Sequence, residues 1–549
     1  MLSFFNQLTL DGPSLLAAAI LCGVSLTPSL MPRDPIKQGL LAGLAAAMGY
    51  VGVTLATWLL IYLQVPPLPA FWSSALDIPF YLTSAAIVIV SLAMAPRWQN
   101  MTRSVMGLPP VAKSHRVTIA VVALSVFLVM WLAGHLFGFA LQKVSGFLEV
   151  LLPPRVSLVI GLVIVAWLFW AAIDGALVRR VYRAMDRSFE AADIFIEPDL
   201  PAPEDPLKSG SSKSLIPWDT MGRWGRSFVS RAPTANEISE FFSGEVKEPI
   251  RVYVGRRSAQ TARERAELAL NELIRVGGFD RAALVVAVPV GTGWMDPGGH
   301  DTLDFMLGGD VATVSVQYSY LTSGLALLAH PQYGTDQAQE LFDVVYGHWK
   351  NLPKDRRSKF YISGLSQGAY NSQATLPLLD LLADPIQGAL WVGSPFFSSY
   401  WSRVRDQRVV DSPAWQPRFG NSSLARVANQ NGAGLSVPGA RWGPIRLIFL
   451  NYGSDPIVAF TFDCAFRRPD WLRAPRAPDV PSDLRWFPIV TMLQIALDTA
   501  LSLDVPRYGH YYTSPDYIDA WAEVVDPPNW DASKASELKR IFSERGPAF

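Results

Sequence analysis

Five runs in the first third of the chain, near residues 14 to 32, 39 to 64, 77 to 95, 116 to 141 and 156 to 178, are almost uncharged. Each is near or above the roughly 20 residues that a helix needs to cross about 30 Å of hydrocarbon. In lipid every backbone N–H and C=O must be satisfied within the segment, so such runs can become little else than packed helices. Residues 1–180 therefore read as a five-span transmembrane domain. No Lys or Arg precedes the first run, and a second span follows directly, which argues against a cleaved secretory signal.

Basic residues set the expected orientation. Arg33 and Lys37 follow the first run, Arg97, Arg103, Lys113 and Arg116 lie between the third and fourth, and Arg179, Arg180, Arg183 and Arg187 follow the fifth. The alternate loops hold only Lys143 and Arg155. This asymmetry places the N-terminus outside and everything after residue 180 in the cytoplasm. Gly39 with Gly43 and Gly134 with Gly138 form GxxxG pairs, read as packing within the bundle rather than a dimer seam. His135 and Asp174 fall inside spans, where an interhelical hydrogen bond is favoured over a proton relay.

Residues 181–215 combine a basic juxtamembrane run with EPDLPAPEDPLKSGSSKSL, whose Pro, Ser and charge content suits a tether rather than a core. Lys plus Arg and Asp plus Glu balance at 47 each, which gives no electrostatic footprint for nucleic acid. The two cysteines, Cys22 and Cys464, lie in different regimes and read as inert thiols rather than a disulfide or zinc framework.

From residue 216 to 549 apolar strand-like runs alternate with helical stretches, which argues for a mainly parallel sheet covered on both faces. The expected strands are RVYVG at 251, ALVVAVPV at 283, VATVSVQYS at 311, KFYIS at 359, IQGALWV at 386 and IRLIFLNY at 445. Helices are expected at 261 to 276, 336 to 351 and 368 to 383. Ser366, in GLSQG, then falls on a strand-to-helix turn, with Gly364 and Gly368 letting that turn tighten. Asp455 follows the last strand in YGSDPIV, and His510 is the only histidine after Ser366. Ser, acid and His in this order are the elements of an α/β-hydrolase fold: the hydroxyl needs a base, and the base a carboxylate that orients it. Asp463 is the reserve acid. A strand-end Asp before Pro is also a common turn former, and a loop His a common surface residue; the joint order favours the triad.

An oxyanion needs backbone N–H donors. Gln367, directly after the serine, supplies one, and the loop VGTGWMDPGG supplies the other, with Thr292 chosen and Gly293 next. His300 with Asp296, Asp301 and Asp304 could suggest a metal, but acids at a strand-end loop entering a helix read as caps, and neither metal nor cofactor is expected.

The motifs SLTPSLMPR at 25 to 33, WDTMGRWGRSF at 218 to 228, GTGWMDP at 291 to 297, GLSQGAYNSQ at 364 to 373 and YGHYYTSPDY at 508 to 517 together resemble bacterial membrane-anchored α/β-hydrolases. In that family a multi-span N-terminal domain precedes a serine-hydrolase domain. The resemblance implies the fold and a Ser/Asp/His hydrolase, without a settled substrate. Two insertions, 395 to 444 and 466 to 507, can shape a pocket. The second holds an apolar stretch near 485 to 505 that cannot cross the membrane without separating Asp455 from His510, so it reads as a lid or a bilayer-surface helix. The expectation is a serine hydrolase of carboxylic esters, with lipophilic acyl esters drawn from the bilayer as the substrate class. The alternatives are an acyltransferase with the same triad and a membrane scaffold that binds a ligand without turnover.

Overall fold

The computed structural model describes residues 10–66, 70–111, 115–172, 188–321, 331–376, 378–503 and 505–546. The chain divides into two compact units. The first contains residues 1–184 together with 460–473 and 478–506, and the second contains 185–459, 474–477 and 507–549.

In the first unit, α1 (Gly12–Ser25), α2 (Pro35–Tyr62), α3 (Ala70–Val105), α4 (His115–Leu148) and α5 (Pro154–Ala171) follow one another. Among the described residues four helices are long and apolar enough to cross a membrane: α2, Asp77–Val105 of α3, α4 and α5. The first predicted span differs. α1 has fourteen residues, about 21 Å at 1.5 Å per residue, and the rest of the run forms a buried loop through Leu26, Leu30 and Met31. Pro28 and Pro32 in that loop cannot continue a helical ladder. With α1 set aside, the described residues hold four membrane-length helices where five spans were expected.

Gly39 and Gly43 seat α2 on α4: a Cβ at Gly39 would lie 2.7 Å from Val122 Cβ, and one at Gly43 2.6 Å from the Ala123 carbonyl oxygen. Gly134 has nothing within 4 Å, so the second glycine pair does not make the same contact. His135 packs edge-to-face on Trp131 with ring centroids 4.4 Å apart. Asp174 and the basic cluster at 179 to 187 lie outside the described residues.

In the second unit seven strands, β1 (Ile250–Val254), β2 (Ala283–Val288), β3 (Val311–Val316), β4 (Lys359–Leu365), β5 (Gly388–Val392), β6 (Ala425–Ala428) and β7 (Arg446–Leu450), make one sheet. Its order is β1-β3-β2-β4-β5-β7-β6, with every pairing parallel. Most strand residues are buried, because helices cover both faces and leave no polar side to alternate with. β6 was absent from the sequence reading; it lies inside the 395 to 444 insertion and extends the edge beside β7. The expected helix 368 to 383 is two pieces, Gln367–Ala374 and Leu378–Ala383.

The segment read as a tether is docked. Glu272, fully buried, accepts from Ser209 Oγ at 3.1 Å, Ser214 Oγ at 2.6 Å and the Leu215 N–H at 3.0 Å. Polar capping of one buried carboxylate, rather than apolar area, holds this stretch in place, which explains why composition alone read it as loose.

Candidate active site

β4 ends at Leu365 and the next helix begins at Gln367, which leaves Ser366 alone at the turn with φ 56° and ψ −121°. A non-glycine residue in that region is strained by of order 1–3 kcal/mol, and the strain aims its hydroxyl off the sheet edge. The turn closes only because its flanks are glycines. A Cβ at Gly364 would lie 2.5 Å from the Gly368 carbonyl carbon, and one at Gly368 2.1 Å from the Val288 carbonyl oxygen of β2. The Ser366 N–H donates to the Val392 carbonyl of β5 at 2.9 Å.

The same strand end receives the histidine. Gly393, directly after β5, has φ 53°, and a Cβ there would lie 2.4 Å from His510 Cε1. His510 is carried on the turn Tyr508–Tyr511, whose Gly509 N–H donates to Ser454 Oγ at 3.0 Å. The His510 Nδ1 and Asp455 Oδ2 are 2.6 Å apart, with both side chains buried. Tyr512 OH also donates to Asp455 Oδ2, at 2.7 Å, and the Ile457 N–H to Oδ1 at 2.8 Å. Asp455 thus has three partners, two at Oδ2 and one at Oδ1, while His510 Nε2 is buried with no hydrogen-bond partner among the described residues. Burial, with the Asp455 charge beside it, keeps the Tyr512 phenol protonated far above the ordinary tyrosine range, so it stays a donor. Asp463, the reserve acid, is exposed in the 3-10 turn Phe462–Ala465 of the first unit, and the partner of His510 Nδ1 is Asp455.

On the oxyanion side, Gln367 heads the helix Gln367–Ala374, where first-turn N–H groups have no intrahelical acceptor. The Gly293 N–H donates to the Val290 carbonyl at 2.8 Å. Two fully buried side chains fix the loop: Tyr253 OH donates to the Gly293 carbonyl at 2.7 Å, and Gln317 Nε2 to the Thr292 carbonyl at 3.0 Å. Gln317 also reaches Asp193 Oδ1 at 3.3 Å, and Gly222, in the 218 to 228 motif, is the residue against Asp193, where a Cβ would lie 2.5 Å from Oδ2. Nothing in the sequence marks Gln317 or Tyr253; Tyr512 lies inside a motif already singled out, two residues after the histidine.

The acidic cluster divides. Asp296 caps the helix Pro297–Met306 through the Gly298 N–H at 2.9 Å, as expected. Asp301 and Asp304 are not caps: each accepts from Arg251 at 2.6 Å. A cavity of about 20 Å³, room for one water, opens beside Asp296, His300, Tyr517, Gly364 and Val392 and is too small for an acyl chain. Burial pushes the Asp296 carboxyl up to about 7, against the Tyr517 hydroxyl and Gly298 N–H that favour its charged form. Burial, then the nearby Arg251 charge, holds His300 neutral, down to about 3.

Residues 250–538, more than half the chain, match the model of a family described as the alpha/beta-hydrolase family. The chain belongs to that family. Residues 26–233 match the companion described as the alpha/beta-hydrolase family N-terminus, so the helical region and the juxtamembrane segment are part of the family pattern. No curated protein and no solved structure matches the chain. Membership in the alpha/beta-hydrolase family accounts for the parallel sheet and the strand-to-helix turn at Ser366; it does not assign a substrate.

Proposed function

We propose that the protein is a membrane-anchored serine hydrolase that cleaves carboxylic esters, with lipophilic acyl esters as the substrate class. The observation that carries this reading is the His510 to Asp455 pair, 2.6 Å apart, with Nε2 left without a partner at the strand end that holds Ser366. In the proposed cycle Ser366 Oγ attacks the acyl carbon while His510 Nε2 takes its proton. Asp455 fixes the imidazole with its proton on Nδ1 and stabilises the imidazolium that forms. The N–H groups of Gln367 and Thr292 receive the oxyanion. The protonated His510 then gives its proton to the leaving alcohol; a water, deprotonated by the same nitrogen, attacks the acyl carbon and releases the acid as His510 returns the proton to Ser366 Oγ.

The lipophilic substrate class is supported by the membrane-length helices within the same chain. The positive-inside asymmetry supports a cytoplasmic catalytic domain on a bacterial inner membrane. The test is acyl release by membranes carrying the full chain, across esters of increasing acyl length, with Ser366→Ala as control. Release that disappears in the variant, with a preference for long chains, is the expected result. Release that persists in Ser366→Ala overturns the serine assignment. Consumption of ester only when an alcohol acceptor is added makes the protein an acyltransferase, and binding without turnover makes it a scaffold.

A further inference from the structure

The motif SLTPSLMPR at 25 to 33 and the insertion after Asp455 have no part in the chemistry above, and within the first unit they are partners. The Arg33 guanidinium and Asp498 form an ion pair at 2.8 Å with both side chains fully buried. Asp498 also accepts from Ser29 Oγ and from the N–H groups of Leu30 at 3.1 Å and Met31 at 3.2 Å. Gln494, one helical turn earlier, donates to the carbonyls of Ser25 and Thr27. The loop is in turn bound to the ends of the long helices, through Arg33 N–H to Gln99 and Thr102 Oγ1 to the Ser29 carbonyl in α3, and Arg33 to Gln38 in α2.

α2 and α3 have 28 and 36 residues, about 42 and 54 Å, so they exceed about 30 Å of hydrocarbon and their ends reach the head-group level. The helix Val490–Ala500 is therefore pinned at that level. It carries the 3-10 turn Phe462–Ala465 with it: the Ile489 N–H donates to the Ala465 carbonyl at 2.8 Å and Trp486 Nε1 to the Cys464 carbonyl at 2.7 Å. The turn buries Cys464 and Ala465 and faces Phe462 and Phe466 outward, 70% and 78% exposed. Arg467 and Arg468 follow, both exposed.

We propose that residues 462–468 are a wedge in the bilayer surface, with Phe462 and Phe466 in the upper acyl layer and Arg467 and Arg468 on lipid phosphates. The Arg33–Asp498 clasp sets its depth. The occupant is the bilayer because the turn belongs to the same compact unit as the four membrane-length helices and is tied to their ends. Aromatic rings beside paired arginines match an acyl layer under anionic head groups. The inference rests on the membrane reading of the helices and stands whether or not Ser366 is catalytic.

The test places an environment-sensitive fluorophore at Phe462→Cys, Phe466→Cys or Val410→Cys in a full chain that carries Cys22→Ser and Cys464→Ala, reconstituted in nanodiscs of phosphatidylcholine and phosphatidylglycerol. Val410, 98% exposed in the second unit, is the reference. Labels at 462 and 466 are expected to emit blue-shifted light and to be quenched severalfold more than the label at 410 by lipids brominated in the upper acyl chain. Adding Asp498→Ala is expected to remove that difference. Water-like emission at both positions overturns the wedge, and quenching that survives Asp498→Ala overturns the clasp's part in it. The unlabelled native chain gives a second reading: trypsin cleavage after Arg467 is expected in detergent and suppressed in nanodiscs, and equal cleavage in both contradicts the proposal.

Discussion

Two buried pairs of a carboxylate with a nitrogen base, Asp498 with Arg33 and Asp455 with His510, lie in the two units of this chain and are built to opposite ends. In the first, the carboxylate has five donors, and the guanidinium also reaches Gln38 and the Gln494 carbonyl. Nothing is left over for chemistry. In the second, the carboxylate has three partners, His510, Tyr512 and the Ile457 N–H, and the imidazole keeps one buried nitrogen without a partner among the described residues. In the proposed cycle that nitrogen is the one that takes the Ser366 proton. The comparison teaches that burial alone does not tell the two pairs apart: the guanidinium is bonded through all three of its nitrogens, and the imidazole keeps one nitrogen open for the proposed chemistry.

The largest effect that would sharpen this contrast comes from His510→Ala, which should lower kcat on any ester substrate by on the order of 10⁴-fold or more in the protein that remains folded. Asp498→Ala should act on stability instead. Removing one partner of a buried pair costs about 3–5 kcal/mol, so detergent-solubilised protein should unfold at clearly lower temperature, and Ser366 should still react with an acylating probe where the fold persists. If Asp498→Ala left stability intact and abolished that reaction, the two pairs would have exchanged roles. Tyr512→Phe should cost about tenfold in kcat at constant KM, the worth of one hydrogen bond to a charged group, about 1.5 kcal/mol. Steady-state kinetics on a short soluble ester would read it.

A further effect is a pH dependence. Burial raises Asp296 to about 7 in the folded protein, whereas an unfolded aspartate titrates near 3.9. The stability this carboxyl contributes is full below the unfolded value and is lost as pH rises through the folded one. Asp296→Asn, which stays neutral, should therefore gain on the native protein in melting temperature between about pH 4 and 7, and the gap should level off above about pH 8. A gap that narrows with rising pH would mean that the Tyr517 and Gly298 bonds outweigh burial.

Six of the seven strands were legible because a parallel sheet covered on both faces demands continuous apolar, β-branched runs such as ALVVAV and RLIFL. β6 was not, since its four residues include Arg426, which the structure hides by stacking it 3.9 Å over the Trp442 ring. Ser366, Asp455 and His510 could be named because their chain order and strand-end positions follow the pattern that the proposed chemistry needs. Tyr512, Gln317 and Gly393 could not, because each acts through a contact that forms only when distant strand ends meet. The same holds for Arg33, counted among the orienting charges by its place in the sequence. Its partner lies 465 residues away, and no local pattern links the two.

The most direct test of the central claim is the mass of the intact full-length protein after exposure to an alkyl fluorophosphonate, followed by mapping of the modified peptide. A single adduct on the peptide containing Ser366, lost in His510→Ala and kept in Asp498→Asn, is the predicted result. No adduct, or an adduct that His510→Ala leaves at full rate, would contradict a serine activated by the histidine that Asp455 holds.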